Sequence, residues 1–242
     1  MSGSESVPNQ RAHSEEPAMN DRTVLSRRRL LAGMGGVAAG LAIGAGAGTA
    51  SAAPPGAGQA TGNGWPELSA GQAKNHRIEG SDATVALLPG ATAMVLLHVA
   101  RRFHYDVDEL AAGEAAGHHS PAADGTVAGV NFRSGTALAL RPGSYPAGAA
   151  GNLYPQQIAM VRDILAECDG VVRWGGDDAS RPMEGAFYID VPPGDARLKR
   201  LAARLEGWAK EADQGAGVVV DPAAPDRLRA SVALRRMQTA GR

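Results

Sequence analysis

The chain has 242 residues with 24 basic and 25 acidic side chains, so its net charge is close to zero. This balance provides no basic surface for nucleic acid or for an anionic membrane, which excludes both from the partners we expect. The single cysteine, Cys168, has no partner for a disulfide within the chain. The folded part must therefore rest on its apolar core.

Residues 1–52 have the features of a twin-arginine signal peptide. Three arginines at 27–29 precede an Ala/Gly-rich apolar run, and small residues at 49–52 form an A-x-A cleavage site. The glycines weaken helix formation and hydrophobic drive, which makes the run a poor transmembrane helix. We therefore expect export through the Tat pathway, to the medium or the cell envelope, without a stable membrane anchor after cleavage.

The remaining chain divides by composition into a linker, one domain and an extension. A Pro/Gly/Ala-rich linker is predicted over 53–63 and a folded domain over 64–210. A C-terminal extension with a helix follows over 211–242. About 190 residues outside the signal peptide suit a single domain.

Apolar periodicity and Pro/Gly punctuation give the predicted elements in chain order. Helices are predicted over 89–105, 155–168, 196–211 and 225–237, strands over 134–140, 171–174 and 186–191, and loops over 111–130 and 141–152. Cys168 continues an apolar helical stripe and is interpreted as a small core residue. His98 and His104 are predicted on the surface of the first helix. Short strands and helices without a regular βαβ repeat indicate the α+β class, with a small antiparallel sheet packed against helices.

Four sequence blocks carry a resemblance to a known family. They are G-W-P at 64–66, S-G-T-A-L-A-L at 134–140, V-V-R-W-G-G-D at 171–177 and F-Y-I-D-V-P-P-G-D at 187–195. In this order and spacing they resemble the M15 family, the zinc D-alanyl-D-alanine carboxypeptidases and endolysin-type peptidases that cut peptidoglycan stem peptides. The resemblance covers roughly residues 64–210 and implies a D-Ala-D-Ala carboxypeptidase-like fold.

The resemblance also implies a catalytic zinc held by two histidines and an aspartate, with an acidic general base nearby. In this sequence the histidine positions hold Phe132 and Ala186, the aspartate position holds Ala139 and the base position holds Met183. None of these side chains can bind zinc or accept a proton. The resemblance therefore implies a scaffold that has lost its metal, and we expect no zinc and no other cofactor.

Other polar residues are candidates for displaced ligands or bases. They are His118, His119, Asp124, Asp177, Asp178, Glu184 and Asp190. The adjacent histidines are typical of a solvated loop, and Glu184 lies one residue after the base position. Pro121 and Asp124 stand where the family tends to have substrate-binding arginines.

Three functional hypotheses follow. The first is an exported, catalytically inactive relative of the peptidoglycan-cleaving peptidases that binds or scaffolds at the cell envelope. Its partner would be peptidoglycan or a stem peptide, in a groove lined by Arg133, Trp174 and Tyr188. The alternative is an active metallopeptidase on stem peptides that uses displaced ligands. The third is a partner-binding protein without wall affinity that uses the C-terminal helix near 228–237.

Overall fold

The computed structural model describes residues 61–119, 127–211 and 214–240, with only the backbone described at 127 and 128. The predicted signal peptide, most of the linker, Pro121 and Asp124 lie outside these ranges. Within them, the fold is α+β, with two small antiparallel sheets and five α-helices. The predicted class is thereby confirmed.

Each element has a clear boundary. The helices are α1 (Ala91–Asp106), α2 (Val127–Phe132), α3 (Pro155–Glu167), α4 (Ala196–Trp208) and α5 (Pro225–Ala240). The strands are β1 (Lys74–Arg77), β2 (Thr84–Leu87), β3 (Ala115–Ala116), β4 (Ala137–Leu140), β5 (Val172–Trp174) and β6 (Ala186–Ile189). The longer predicted elements are confirmed, with boundaries that move by a few residues.

The prediction of a loop over 111–130 is wrong at two places. β3 lies inside this stretch, and α2 begins there and ends at Phe132. Two residues of strand and six of helix are too short to show a period, so their hydrogen-bond partners decide them. The hairpin of β1 and β2 also escaped prediction, because β1 (K-N-H-R) contains no apolar residue and so shows no strand pattern.

The larger sheet has the strand order β3-β4-β6-β5, and every neighbouring pair is antiparallel. Successive side chains of a strand point to opposite faces. Leu138, Leu140, Phe187 and Ile189 belong to the main apolar core, whose other members come largely from α1, α3 and α4. The alternate residues of β4 and β6 therefore lie on the other face, where a second cluster forms.

The main core is built on the predicted helical stripes. Val95, Leu96, Val99 and Phe103 of α1 are fully buried, and the Phe103 ring meets Phe187 edge to face at 6.0 Å. Such aromatic contacts add to the free energy gained by burying apolar area.

Cys168, at the end of α3, is also fully buried, as interpreted from its stripe. Burial raises the pKa of its thiol well above the ordinary value, which keeps the sulfur protonated and unreactive.

The helix of the predicted C-terminal extension packs on the domain. The Leu234 side chain approaches Gly170, and Gln238 Nε2 donates to the Val172 carbonyl oxygen across 3.0 Å. Its outer side exposes Leu228, Val232 and Met237. Within the described ranges, the search for a helix with the length and apolar content to span a bilayer is negative.

Gly185 leaves no room for a side chain where the β6 segment approaches β4. A Cβ at Gly185 would lie 2.2 Å from the Leu140 carbonyl oxygen. We expect Gly185→Ala to lower the free energy of unfolding by about 1–3 kcal/mol, the usual cost of overpacking. Gly143→Ala is the control, because a Cβ there meets no atom within 4 Å. Urea unfolding should show the control unchanged or stabilised by up to about 1 kcal/mol; an equal loss in both variants would contradict this packing.

Candidate functional site

The four positions that the resemblance assigns to zinc ligands and base come together in the structure. With two neighbours they form the second apolar cluster, here named the alanine cluster, which consists of Phe132, Ala137, Ala139, Met183, Ala186 and Tyr188. Each of these residues is at most 7% exposed. Ala139 and Ala186 are direct cross-strand partners of β4 and β6, so their Cβ atoms are neighbours on one face. The geometry is that of a closed apolar centre.

Phe132 reaches the cluster through a tight turn between α2 and β4. The Asn131 carbonyl oxygen accepts a hydrogen bond from Ser134 Oγ across 2.9 Å. Gly135 follows with φ of 63°, and a Cβ there would lie 2.8 Å from the Leu88 nitrogen. Only glycine combines this left-handed backbone with so close an approach. The turn therefore fixes the backbone position from which the Phe132 side chain enters the cluster.

Glu184, the acid next to the base position, is engaged elsewhere. Its carboxylate oxygens accept hydrogen bonds from the Gly151 and Asn152 backbone N–H groups, across 2.9 and 2.8 Å, and from Asn152 Nδ2 across 3.0 Å. The residue is 4% exposed. A buried carboxylate with three donors has a structural role, which is to hold the 141–152 loop against the sheet.

The two adjacent histidines have ordinary surroundings. The His118 backbone N–H donates to the Ala86 carbonyl oxygen across 2.7 Å. His119 Nδ1 lies 2.7 Å from the Gly117 carbonyl oxygen, which can only accept, so this nitrogen carries the proton. The His119 ring lies against Phe132, with 4.8 Å between ring centroids. The sequence analysis interpreted both histidines as loop residues, and these contacts give neither of them another role.

The remaining acidic candidates form hydrogen bonds with arginines or with the backbone of a turn. Asp177 binds Arg162 through both oxygens, at 2.6 and 2.5 Å, and Asp190 binds Arg173 at 2.8 Å. Asp178 accepts from the Ser180 backbone N–H across 2.9 Å. Asp177 thus ties its loop to α3, Asp190 ties the end of β6 to β5, and Asp178 holds its own turn.

Zinc does not fit the residues at the alanine cluster, because Phe, Ala and Met offer no nitrogen or charged oxygen ligand. Across the described ranges, the His, Cys, Asp and Glu side chains form no group of three or more that could hold a metal ion. We therefore derive no metal-dependent step from this face of the sheet.

The three residues predicted to line a binding groove lie in different environments. Arg133 is partly exposed and forms an ion pair with Glu67 at 2.7 Å. Trp174 is 4% exposed, and its Nε1 donates to the Glu184 carbonyl oxygen across 2.6 Å. Tyr188 is 3% exposed within the alanine cluster. Of the three, Arg133 is the one that a ligand can reach without rearrangement.

A polar centre that the sequence did not reveal joins α1, α3 and α5. It is a network of buried ion pairs formed by His98, Arg102, Asp106, Asp163, Glu167 and Arg227. Arg102 is 1% exposed, and its guanidinium reaches Asp106 at 2.5 Å, Glu167 at 2.6 Å and Asp163 at 3.2 Å. Arg102 and Asp106 are four residues apart on α1, and Asp163 and Glu167 are four apart on α3, so each pair lies on one face of its helix. This spacing is the sequence signal that could have indicated the network.

The prediction that His98 lies on the helix surface is wrong, since the residue is 1% exposed. Burial lowers the pKa of His98, and the hydrogen bond and charge of Glu167 oppose this only in part. The neutral ring donates from Nε2 to Glu167 across 3.1 Å. Periodicity predicted His98 beside the apolar stripe of α1. The residue is instead buried, because it pairs with the Glu167 carboxylate on α3.

Glu167 remains charged inside this network. Burial acts to raise its pKa, but the hydrogen bond from His98 and the positive charge of Arg102, together with Arg227, outweigh burial and lower the pKa from 4.5 to about 2. A pocket of ≈190 Å³ beside Glu167 and Arg227 is also lined by Trp208 and by residues of the 214–220 loop. The carboxylates and arginines satisfy one another, so the network holds three helices together.

Comparison with known proteins gives no match to a family model, a curated protein or a solved structure.

Glu167 makes the stability of the fold dependent on acid pH. Because its folded-state pKa is depressed, its stabilisation is complete above about pH 4.5 and is lost as the pH falls toward about 2. We expect about 3 kcal/mol of unfolding free energy to disappear through this group. Glu167→Gln should be less stable at pH 7 and lack this component in urea unfolding at stepped pH. Glu206→Gln, at an exposed pair with Lys210, should follow the wild type; parallel curves for Glu167→Gln and wild type would refute the assignment.

Proposed function

We propose that the chain is an exported, catalytically inactive relative of the zinc D-alanyl-D-alanine carboxypeptidases of the M15 family, with their fold, which acts as a binding or scaffold protein at the cell envelope. The observation that carries the proposal is the alanine cluster. Phe132, Ala139, Met183 and Ala186 are the positions that the resemblance assigns to zinc ligands and base, and their membership of one buried cluster supports the proposal.

The chemistry of the replacements supports loss of activity. Removing only the metal from such a site would leave histidines and carboxylates buried without partners, which is costly. Here all four side chains are apolar, and their burial adds to stability instead. Ala139 and Ala186 face each other where two ligands would have met. The centre therefore contributes to packing and has no group to activate water.

A binding role fits what remains around the centre. Arg133 follows Phe132 in the chain, its side chain is partly exposed, and its guanidinium pairs with Glu67. A carboxylate of peptidoglycan or of a stem peptide is the kind of group that such an arginine recognises. The twin-arginine leader proposed for residues 1–52 would bring the folded protein to the wall. The alternative of an active metallopeptidase with displaced ligands has no supporting donor set among the described residues.

Restoring the ligands tests whether the alanine cluster has the geometry of a zinc site. We expect the full-length wild type to retain no zinc after loading and dialysis. The triple variant Phe132→His, Ala139→Asp, Ala186→His should retain about one zinc per chain, since three N/O ligands suffice for a catalytic-type site. Metal content is measured by atomic emission, and zinc should raise the melting temperature of the triple variant alone.

The control for this test is the double variant Phe132→His, Ala139→Asp, which lacks the third ligand and should bind zinc at least tenfold more weakly. Circular dichroism establishes that each variant folds. A folded triple variant without zinc would show that the cluster is not a ligand site, and one tightly held zinc in the wild type would show that the ligands were assigned wrongly.

Wall binding is tested by co-sedimentation with purified peptidoglycan. We expect the full chain to sediment above an unrelated folded protein of similar size. Arg133→Gln should reduce the bound fraction several-fold, because it removes a charge-assisted hydrogen bond. Arg197→Gln, at an exposed arginine on α4, should leave binding unchanged. Sedimentation no better than that of the unrelated protein would remove peptidoglycan as the partner.

A further inference from the structure

A groove of ≈180 Å³ lies between α3 and α5 and shares no residue with the alanine cluster. Ala159 and Arg162 of α3 form one wall, and Leu228, Val232 and Arg235 of α5 form the other. An apolar cavity of about 150 Å³ holds a benzene ring, so this groove can take one leucine or phenylalanine side chain. Its size therefore suits an anchor residue of a partner.

The apolar side chains of this groove face solvent. Leu228 is 51% exposed and Val232 is 41% exposed, and their spacing of four residues puts them on one side of α5. Ser231, which also lines the groove, is satisfied by the helix itself, because its Oγ donates to the Leu228 carbonyl oxygen across 3.0 Å. A partner side chain in the groove would therefore remove apolar area from water without leaving this hydroxyl unpaired.

Arg235 brings a charge to the groove that is not neutralised within the described part of the chain. Arg162, the other charged lining residue, binds both Asp177 oxygens and lies over the Trp174 ring, 4.8 Å from its centroid. Arg235 is exposed, and its guanidinium has no ion pair or hydrogen bond with the residues that the structure describes. The same is true of the next residue, Arg236. The C-terminal half of α5 thus presents positive charge beside the groove.

The acidic residues at the other end of α5 are engaged with their own neighbours. Asp226 pairs with Arg229, and Asp221 accepts a hydrogen bond from the Ala223 backbone N–H across 2.9 Å. Residues 227–240 include four arginines and a methionine and no Asp, Glu or Lys. Arginine and methionine are enriched where proteins meet, whereas Asp, Glu and Lys are depleted there. This side of α5 therefore has the composition of a protein interface.

The shape of this surface favours a protein partner over a lipid surface. Met237, the other large apolar side chain that α5 exposes, follows Leu228 by about two and a half helical turns and so lies on the opposite side of the helix. A helix that lies on a bilayer buries one broad apolar face. Here two apolar side chains instead flank a groove that a side chain of a partner can enter.

We propose that the α3–α5 groove binds an acidic amphipathic helix of a partner protein. A leucine or phenylalanine of that helix enters the groove between Ala159 and Val232, and a glutamate one turn away accepts hydrogen bonds from the Arg235 guanidinium. The positive charge of Arg236 attracts further acidic residues of the partner. The proposal does not depend on the loss of a zinc centre, because α3 and α5 contribute no residue to the alanine cluster.

Titration of the full-length chain with a synthetic acidic peptide tests the proposal. The probe is fluorescently labelled acetyl-EALFEALEELLEEALE-amide, which has glutamates one helical turn on either side of its phenylalanine, and anisotropy reports binding. We expect saturable binding that weakens at high salt, because exposed charges are screened. Replacing the phenylalanine by alanine removes the anchor, and replacing every glutamate by lysine reverses the charge; each change should weaken binding at least tenfold.

Variants of α5 locate the binding surface. Arg235→Gln removes the charge beside the groove and Val232→Phe fills the groove; each should weaken the acidic peptide at least fivefold. Two controls alter the same helix outside the groove, since Arg229→Gln removes a paired arginine and Met237→Phe adds a ring on the opposite side. Circular dichroism establishes that all of these variants fold, and both controls should bind as the wild type does.

Amide chemical shifts of the wild type provide a reading that needs no variant. The acidic peptide should move the signals of Ala159, Val232 and Arg235 and leave those of β1 and β2 in place. Vesicles of phosphatidylglycerol should not displace the peptide. Absence of saturable binding, equal affinity for the lysine peptide, or shifts confined to residues outside the groove would overturn the proposal. Displacement by the vesicles would also overturn it and would identify an anionic lipid surface as the partner.

Discussion

Alternation of side chains along β4 and β6 is the constraint on which the rest of the structure depends. In one register, Leu138 and Phe187 enter the helical core while Ala139 and Ala186 meet on the opposite face. A slip of one residue would exchange the two sets, exposing large apolar side chains and placing alanines in the core. The large residues that build the core therefore also fix the small residues at the candidate site.

The two faces of the sheet are stabilised by different interactions. The core face is closed by α1, α3 and α4, and the Arg102 network ties α1 and α3 to α5. Buried ion pairs of this kind add little net stability compared with apolar packing, but breaking one leaves a buried charge unpaired. They therefore fix which helices meet. The alanine face is closed by Phe132 and contains no charged member.

Under the function proposed above, this division would separate the lost catalytic centre from the surface that recognises a ligand. In the proposed function, the scaffold has lost its catalytic centre to apolar packing and keeps its surface side chains, among them the partly exposed Arg133. Binding can thus persist on a fold after its chemistry has gone, since function resides in sites and not in the fold itself.

The sequence by itself determined the α+β class and the long helices, because periodicity and local spacing are written in neighbouring residues. The four positions that meet at the alanine cluster were indicated by the family resemblance. Only the tertiary structure decided that His98 is buried beside Glu167, 69 residues away, and that Glu184 holds Gly151. It also decided the short elements β1, β2, β3 and α2. These features depend on which groups elsewhere in the fold supply hydrogen bonds, and no local pattern records that choice.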